Sequence, residues 1–352
     1  MDGNALIVES PADWRGPEIA ARQDWIHPFS AAEIAELDAA HETARRRGRT
    51  LATLSAEDFP LPTLLPVFAR ALEALENGPG IQHFRGFPAL DYPKEALRLI
   101  YWGIGKHLGT AVSQSRDGDL LGDVRDFGVD IRTPTGRGYR SKQELVFHAD
   151  SCDVVGLMVL RTAREGGLSK VASSVAVHNE IARRRPDLLD VLYRPFHWSW
   201  QGQEAPGDPP FYLQPIFSRH LGRLSCRYIR AHIESAQRFP EVPRLASEQV
   251  EAMDLLDAIV GDENFHLSMM FEPGDIQLLN NHVCLHARTA FEDWPEPDRK
   301  RHLLRMWLSV ANSRELGPPM SAIYRDRRAG VLRGGFPTRT GSHRYETPGG
   351  AG

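Results

Sequence analysis

The sequence predicts a mainly β fold, a barrel or sandwich of short strands surrounded by helices. After about residue 110, short β-rich runs alternate with Gly, Pro and Asp turns, which is typical of sandwiches and barrels. The first hundred residues have mostly helical patterns, and two helical inserts, 176–184 and 247–260, interrupt the later strands. The candidate strands are Glu144–His148, Val154–Arg161, His197–Trp200, Leu224–Ile229, Asp275–Leu279 and Leu303–Val310.

The N-terminal helices have recognisable ends. Ser30 and Glu33 form a capping-box pattern that opens a first helix. Apolar residues at helical spacing follow and stop at Gly78, and a third helical pattern lies after a short strand. The candidate helices are 30–47, 64–76 and 93–107, with the strand at 81–87.

Composition excludes several classes of protein. The 352 residues carry 42 Lys and Arg against 46 Asp and Glu, a net charge of −4, so the basic surplus needed for non-specific nucleic-acid binding is missing. Three cysteines without a CxxC pair argue against a disulfide framework or a zinc ribbon. No run approaches the ~18 apolar residues of a membrane span. The N-terminus does not resemble a signal peptide, so we expect a cytoplasmic protein.

One strand ends in a motif suited to metal binding. His148 and Asp150 are two residues apart, so in an extended chain they point to one side. Two histidines and one carboxylate with open positions form the facial triad of non-haem Fe(II) oxygenases. The second histidine would come from Asn280–Arg288, where both His282 and His286 are candidates. Asp153 is a weaker alternative to Asp150, because its spacing places it on the other face.

Two arginines follow on one predicted strand. Arg301, Leu303 and Arg305 share a face, so two guanidinium groups would enter one pocket. An arginine in such a place can hold a carboxylate through two parallel hydrogen bonds. We expect this strand to return beside the His286 strand.

Four segments together resemble the taurine dioxygenase-like (TauD/TfdA) family: HADSCD, Gly166–Ser169, GDIQLLNNHVCLHARTAFEDW and RHLLRMWLS. The resemblance covers about residues 80–310. It implies a double-stranded β-helix, the jelly roll of cupin-like proteins, and an Fe(II)- and 2-oxoglutarate-dependent dioxygenase. The implied iron ligands are His148, Asp150 and His286, since the context of His286 matches the family better than that of His282.

The resemblance also implies roles around the iron. Arg301 would hold the distal carboxylate of 2-oxoglutarate, and Ser169 would supply a hydroxyl where the family often has threonine. Leu168 stands where the family usually has an acid. Arg305 matches a position that binds the anionic group of the substrate in some members, while Glu144 and Gln114 are further candidates for the substrate pocket.

The resemblance implies that 2-oxoglutarate and O2 are converted to succinate and CO2 while a small substrate is oxidised. Because the carboxylate Asp150 is present, we expect hydroxylation of a C–H bond rather than halogenation. Desaturation or oxidative cyclisation at the same iron is an alternative. A non-catalytic jelly-roll protein that binds a metal or ligand is an alternative of another class.

We expect one catalytic domain at 1–324, with a helical part at about 1–110 and a jelly-roll core at about 80–312. A Gly-, Arg- and Pro-rich C-terminal extension would follow at 325–352. Glu144 together with Arg305 suggests an anionic or zwitterionic, amino-acid-like substrate. The sequence predicts no nucleic-acid or membrane partner, and it is compatible with a homo-oligomer.

Overall fold

The computed structural model describes residues 6–129 and 140–347. The helices are α1 (Gly16–Ala21), α2 (Ala31–Arg46), α3 (Leu65–Asn77), α4 (Lys94–Leu108), α5 (Ser174–Arg184), α6 (Pro186–Tyr193), α7 (Arg230–Ala236), α8 (Ser247–Gly261) and α9 (Ser321–Tyr324). The strands are β1 (Ile26–Pro28), β2 (Ile81–Arg85), β3 (Thr110–Ala111), β4 (Leu121–Val124), β5 (Leu145–His148), β6 (Val154–Arg161), β7 (Glu165–Gly166), β8 (Ser169–Ser173), β9 (Phe196–Ser199), β10 (Phe211–Gln214), β11 (Phe217–His220), β12 (Arg223–Cys226), β13 (His266–Met269), β14 (Ile276–Asn280), β15 (Cys284–Arg288), β16 (Phe291–Glu292) and β17 (His302–Ser309).

Two larger sheets form the core. A seven-stranded sheet has the order β1-β2-β14-β6-β17-β3, with β4 also paired to β17, and a four-stranded sheet has the order β13-β8-β15-β5. Side chains from both sheets line one pocket, so the sheets face each other. The predicted jelly-roll core with surrounding helices is therefore confirmed.

Strand β17 shows why the chain forms this architecture. Its eight residues are all buried, so both faces of the strand are covered by other parts of the protein. Leu304, Met306 and Leu308 pack in a cluster with residues of α3 and α4, outside the large sheet. Leu303 and Arg305 alternate with them and point between the two sheets. The strand thus connects the helical layer to the interior of the jelly roll.

The three predicted N-terminal helices are present as α2, α3 and α4. Ser30 caps α2, since its Oγ accepts from the Glu33 amide at 3.3 Å while the Glu33 carboxylate accepts from the Ser30 amide at 2.8 Å. Gly78 ends α3. The two predicted inserts are α5 and α8, whereas α6 and α7 had no clear sequence signal.

One expectation about strand pairing is wrong. Strand β17 does not return beside β15; it pairs with β6 and β4 in the large sheet, while β15 pairs with β5 and β8 in the small one. In a jelly roll, consecutive strands commonly cross from one sheet to the other. Arg305 of β17 and Arg301, just before this strand, therefore approach His286 from across the interior rather than from a neighbouring strand.

The described part of the C-terminal extension, residues 325–347, packs against the rest of the chain. Arg333 and Phe336 are buried. The backbone amide of Thr347 donates to Asp123 Oδ2 at 2.8 Å, and the amide of Asp123 donates to Thr347 Oγ1 at 2.9 Å. Within residues 6–129 and 140–347, no helix has the length and hydrophobicity of a membrane span.

Two helical glycines give a test of the packing. A Cβ on Gly103 in α4 would lie 2.5 Å from Cγ of the buried Phe59 ring, whereas a Cβ on Gly261 in α8 would meet nothing within 4 Å. We expect Gly103→Ala to lower the free energy of unfolding by about 1–3 kcal/mol through overpacking. Gly261→Ala is the control and should be neutral or stabilising by up to about 1 kcal/mol. Urea unfolding measures both, and equal effects would contradict the packing.

Candidate active site

Three side chains meet at one end of the small sheet. His148 is the last residue of β5, and it is the cross-strand partner of His286 in β15. Their rings lie 4.2 Å apart, centroid to centroid. The chain then continues to Asp150, whose carboxylate oxygens lie 3.9 Å from His148 Nε2 and 3.8 Å from His286 Nε2. One ligand atom from each residue lies within 4.8 Å of the others, as is needed to hold one metal ion.

Hydrogen bonds orient these side chains. His148 Nδ1 lies 2.9 Å from the carbonyl oxygen of Val146, which favours a proton on Nδ1 and leaves Nε2 free to bind a metal. Asp150 Oδ2 accepts from the indole Nε1 of Trp307 at 2.9 Å. The backbone amide of Asp150 donates to Asn281 Oδ1 at 3.0 Å. His148 and Asp150 are therefore held before any metal arrives, whereas His286 Nδ1 has no hydrogen-bond partner among the described residues.

The electrostatics also suit a divalent cation. Burial lowers the pKa of His148, and burial together with the neighbouring His148 lowers the pKa of His286 to about 3. Burial alone would raise the pKa of Asp150, but Arg305 and the two histidines lower it to about 2. At neutral pH the site therefore presents two neutral imidazoles and one carboxylate, the protonation state that binds Fe(II).

The two rival ligands lie elsewhere. His282 is in the turn before β15, and its Nε2 contacts Asp153 Oδ1 at 2.9 Å. Asp153 also accepts from Arg333 Nε at 2.8 Å. These buried groups pair with one another rather than with the triad, so the structure brings together His148, Asp150 and His286 and leaves the rivals out.

A pocket opens beside the triad between the two sheets. His148, His286 and Ser169 come from the small sheet, and Arg305 comes from β17 of the large sheet. Arg301, immediately before β17, also lines this pocket. The remaining wall is mostly apolar, formed by Val124, Leu145, Leu157, Phe271 and Leu303. This arrangement suits a small ligand with charged ends and an apolar middle.

Arg301 is built to receive an anion. Its side chain is 5% exposed, and Nη1 has no hydrogen-bond partner among the described residues. Burial, and then the like charge of Arg288, lower the pKa of Arg301 to about 9. A buried guanidinium with an open donor and a like-charged neighbour is costly unless an anion binds there. The residues present therefore fit a carboxylate of 2-oxoglutarate.

The Gly-Gly turn brings the backbone close to this arginine. Gly166 and Gly167 have φ values of +72° and +74°, a region that favours glycine. A Cβ on Gly167 would lie 3.4 Å from Arg301 Nε. Leu168, which replaces the acid usual in the family, is anchored by its backbone amide to Thr289 Oγ1 at 3.0 Å. The turn thus delivers Ser169 to the pocket without that acid.

The structure separates the three residues predicted to bind substrate. Arg305 lies in the pocket, with Nη1 3.5 Å from Asp150 Oδ2. Gln114 lies behind it: Oε1 accepts from Arg305 Nε at 2.7 Å, and Nε2 donates to the Arg305 carbonyl oxygen at 2.9 Å. Glu144 is exposed and lies just before β5, which begins one residue later at Leu145. Of the three, only Arg305 lines the pocket.

Four further residues of the site were missed from sequence. Arg288 and Trp307 share strand faces with His286 and Arg305, so the same two-residue spacing would have found them. Gln277 is the polar residue between Ile276 and Leu278 in β14, and its Oε1 is buried at the pocket without a described partner. Arg227 carries no local signal, because its contacts with the Ala149 carbonyl oxygen and Ser151 Oγ arise from tertiary packing.

Comparison with known proteins identifies the family. The model of the family described as "Taurine catabolism dioxygenase TauD, TfdA family" matches residues 46–307. The chain is 32% identical over 315 residues to FR-33289 synthase of Streptomyces rubellomurinus, covering 88% of this chain and 92% of that protein. It is 28% identical over 307 residues to the taurine hydroxylase-like protein SAT17 of Stachybotrys chartarum, covering 83% and 77% respectively.

Solved structures share the fold. Asparagine oxygenase in complex with Fe(II), hydroxyasparagine and succinate has a TM-score of 0.64 at 16% identity, over 81% of this chain and 93% of that one. The non-haem iron oxygenase OrfP in complex with Fe and α-ketoglutaric acid has a TM-score of 0.60 at 17% identity, over 87% and 100%. From the family match and the triad, the chain belongs to the TauD, TfdA family and is an Fe(II)- and 2-oxoglutarate-dependent oxygenase.

Proposed function

We propose that this oxygenase hydroxylates an unactivated C–H bond of a small organic substrate that carries an anionic group. The observation that carries the proposal is the charge of the pocket. Three buried guanidinium groups, those of Arg288, Arg301 and Arg305, line it, and Asp150 is the nearby buried carboxylate. An apolar pocket with this excess of positive charge favours an anionic ligand.

Different residues of the pocket would bind iron and 2-oxoglutarate. His148, Asp150 and His286 would hold iron. Arg301 and Ser169 would hold the distal carboxylate of 2-oxoglutarate and so orient its other end towards the metal. When bound, iron and 2-oxoglutarate supply the oxidation, in which 2-oxoglutarate and O2 become succinate and CO2. The apolar wall excludes water from the reacting centre.

We assign Arg305 to the substrate. The carboxylate of Asp150 and the two carboxylates of 2-oxoglutarate are matched by iron(II) and Arg301. Asp126 and Glu144 act on Arg288 and raise its pKa, which burial lowers to about 10. Arg305 lines the pocket with its Nη1 3.5 Å from Asp150 Oδ2, so its positive charge lies beside the metal site. A guanidinium group in this position favours an anionic group of the substrate.

Similar folds support an amino-acid-sized ligand. The solved structures of asparagine oxygenase and OrfP hold hydroxyasparagine and hydroxyarginine. Glu144 is exposed and acts on Arg288, so we assign it no role as the partner of a substrate amine. Desaturation or ring closure would use the same site. Product mass separates the outcomes, because hydroxylation adds oxygen to the substrate whereas desaturation and ring closure remove hydrogen.

The proposal is tested by succinate release with paired compounds. Small carboxylates, sulfonates and phosphates are compared with neutral amides, esters or alcohols of the same skeleton. We expect substrate-dependent succinate and an oxygen-containing product from anionic members only. Turnover of the neutral analogues at equal kcat/KM would contradict an anionic substrate, and turnover without oxygen insertion would favour desaturation or cyclisation.

The iron site gives a direct spectroscopic prediction. Anaerobic addition of Fe(II) and 2-oxoglutarate to the wild-type protein should produce the weak visible charge-transfer band of the chelate. His286→Ala should lose the band, because one of the three ligands is gone. The control is His220→Ala, which removes a histidine paired at 3.0 Å with Glu315, outside the triad, and should keep the band. A band of wild-type intensity in His286→Ala would contradict the ligand assignment.

A second prediction concerns 2-oxoglutarate. Arg301→Gln should raise its KM about 100-fold, since two charge-assisted hydrogen bonds of ~1.5 kcal/mol each are lost. Arg299→Gln, two residues earlier along the chain, is the matched control, because Arg299 is 50% exposed and stacks on Trp294. Steady-state kinetics measure both variants. An unchanged KM in Arg301→Gln would show that the distal carboxylate binds elsewhere.

A third prediction separates the substrate from the co-substrate. Arg305→Gln should raise the KM of an anionic substrate by at least about tenfold, through loss of a charged hydrogen bond. The charge-transfer band of the Fe(II)–2-oxoglutarate complex should persist. If the band disappears while substrate affinity is unaffected, Arg305 serves 2-oxoglutarate instead.

A further inference from the structure

The segment Arg333–Phe336, termed here the C-terminal clamp, lies against the back of the iron site. The family match ends at residue 307, so this segment falls outside it. Arg333 is 2% exposed and Phe336 is 6% exposed, although neighbouring Leu332 is 65% exposed. The clamp is therefore a locally buried part of a more exposed tail.

The clamp first contacts the loop that carries Asp150. The amide of Gly335 donates to the carbonyl oxygen of Ser151, the next residue, at 2.7 Å. A Cβ on Gly334 would lie 2.8 Å from the same oxygen, so the two backbones touch. Arg333 Nε donates to Asp153 Oδ1 at 2.8 Å. Ser151 and Asp153, both close to Asp150, are thus hydrogen-bonded to the tail.

The clamp also contacts the supports of Arg305. The amide of Phe336 donates to the Ser113 carbonyl oxygen at 2.8 Å, and the neighbouring Gln114 accepts from Arg305 Nε. The Phe336 ring lies 5.8 Å from the ring of Trp307, centroid to centroid. Trp307 is the indole that donates to Asp150 Oδ2. A second route therefore leads from the clamp to the same carboxylate.

We propose that the C-terminal clamp is a positioning element of the iron site, which holds Asp150 through Ser151, Asp153 and Trp307. Asp150 lies beyond the end of β5, so no strand pairing fixes its backbone. The contacts with Arg333, Gly335 and Phe336 restrict that loop from outside the jelly roll. Partners of this kind orient metal ligands, and their loss typically weakens metal binding 10- to 100-fold.

The proposal rests on the iron site and not on the substrate class proposed above. Its test is therefore the affinity of the metal-free, full-length protein for Co(II), measured by visible absorption without substrate or turnover. A failure to oxidise any anionic compound would leave this measurement unaffected, so the two proposals fail separately.

The first variant is Gly335→Ala. Gly335 has φ +65°, and a Cβ there would lie 2.7 Å from the Ser113 carbonyl oxygen. Gly341→Ala is the matched control, since Gly341 has φ +70° in the same tail but nothing within 4 Å of a Cβ. Both variants share the backbone strain, and only the first displaces the clamp. We expect Co(II) affinity to fall at least about tenfold in Gly335→Ala and to stay within twofold of wild type in Gly341→Ala.

The second variant is Phe336→Leu, which keeps an apolar side chain and removes the ring beside Trp307. Leu332→Ala, at an exposed position next to the clamp, is its control. We expect weaker Co(II) binding in Phe336→Leu only. The thermal midpoint of the metal-free protein is measured alongside, because a merely structural role would lower it without changing Co(II) affinity below the transition.

Phe336→Leu decides the question if Gly335→Ala does not fold. Wild-type Co(II) affinity in a folded Gly335→Ala protein, or in Phe336→Leu, would overturn the proposal. Reduced affinity in both the variants and their controls would also overturn it, because the effect would then not belong to the clamp.

Discussion

The structure depends on the pairing of β5 with β15, which places His148 opposite His286. Cross-strand neighbours in an antiparallel sheet are close enough for two imidazoles to share one ion. Register decides this, because a slip of one residue would turn one histidine to the other face. The two rings are buried, and burial keeps them neutral at physiological pH. A carboxylate that approaches them completes a site for a divalent cation.

The opposing sheet gives this site its ligand pocket. Arg305 lies on β17, across the interior from the histidines, and Arg301 lies just before that strand. The Nη1 of the buried Arg301 has no hydrogen-bond partner among the described residues, so a bound anion would satisfy it. The even-numbered residues of the same strand pack against the helical layer. Helical packing outside the sheet therefore supports the arginine positions inside it.

The contacts around Asp150 come from distant parts of the chain. Asn281 precedes β15, Trp307 lies in the large sheet, and Arg227 reaches the adjoining residues from the region after β12. The C-terminal clamp adds a fourth source. A metal ligand on a loop requires such convergence, because the local backbone alone leaves its side chain free to rotate.

Much of the fold and of the metal site was predictable because the sequence patterns that indicate them are local. The capping box of α2, the alternation of β17 and the two-residue spacing of His148 and Asp150 each express a geometry that neighbouring residues determine. The choice of His286 over His282 needed the family context, since spacing alone left both open. The prediction that β17 lies beside β15 was wrong because it needed information that is not local. Nearness along the chain does not decide which sheet a strand joins.

The sequence by itself determined the fold class, the chemical type of the metal site and the shared face of Arg301 and Arg305. These follow from residue type, short-range periodicity and the resemblance of four segments to a known family. Only the tertiary structure decided that Gln114 supports Arg305, that Glu144 lies outside the pocket, and that residues 333–336 contact the Asp150 loop. The reason is physical: burial and hydrogen bonding between distant segments depend on how the sheets and the tail pack, and no local pattern records that packing.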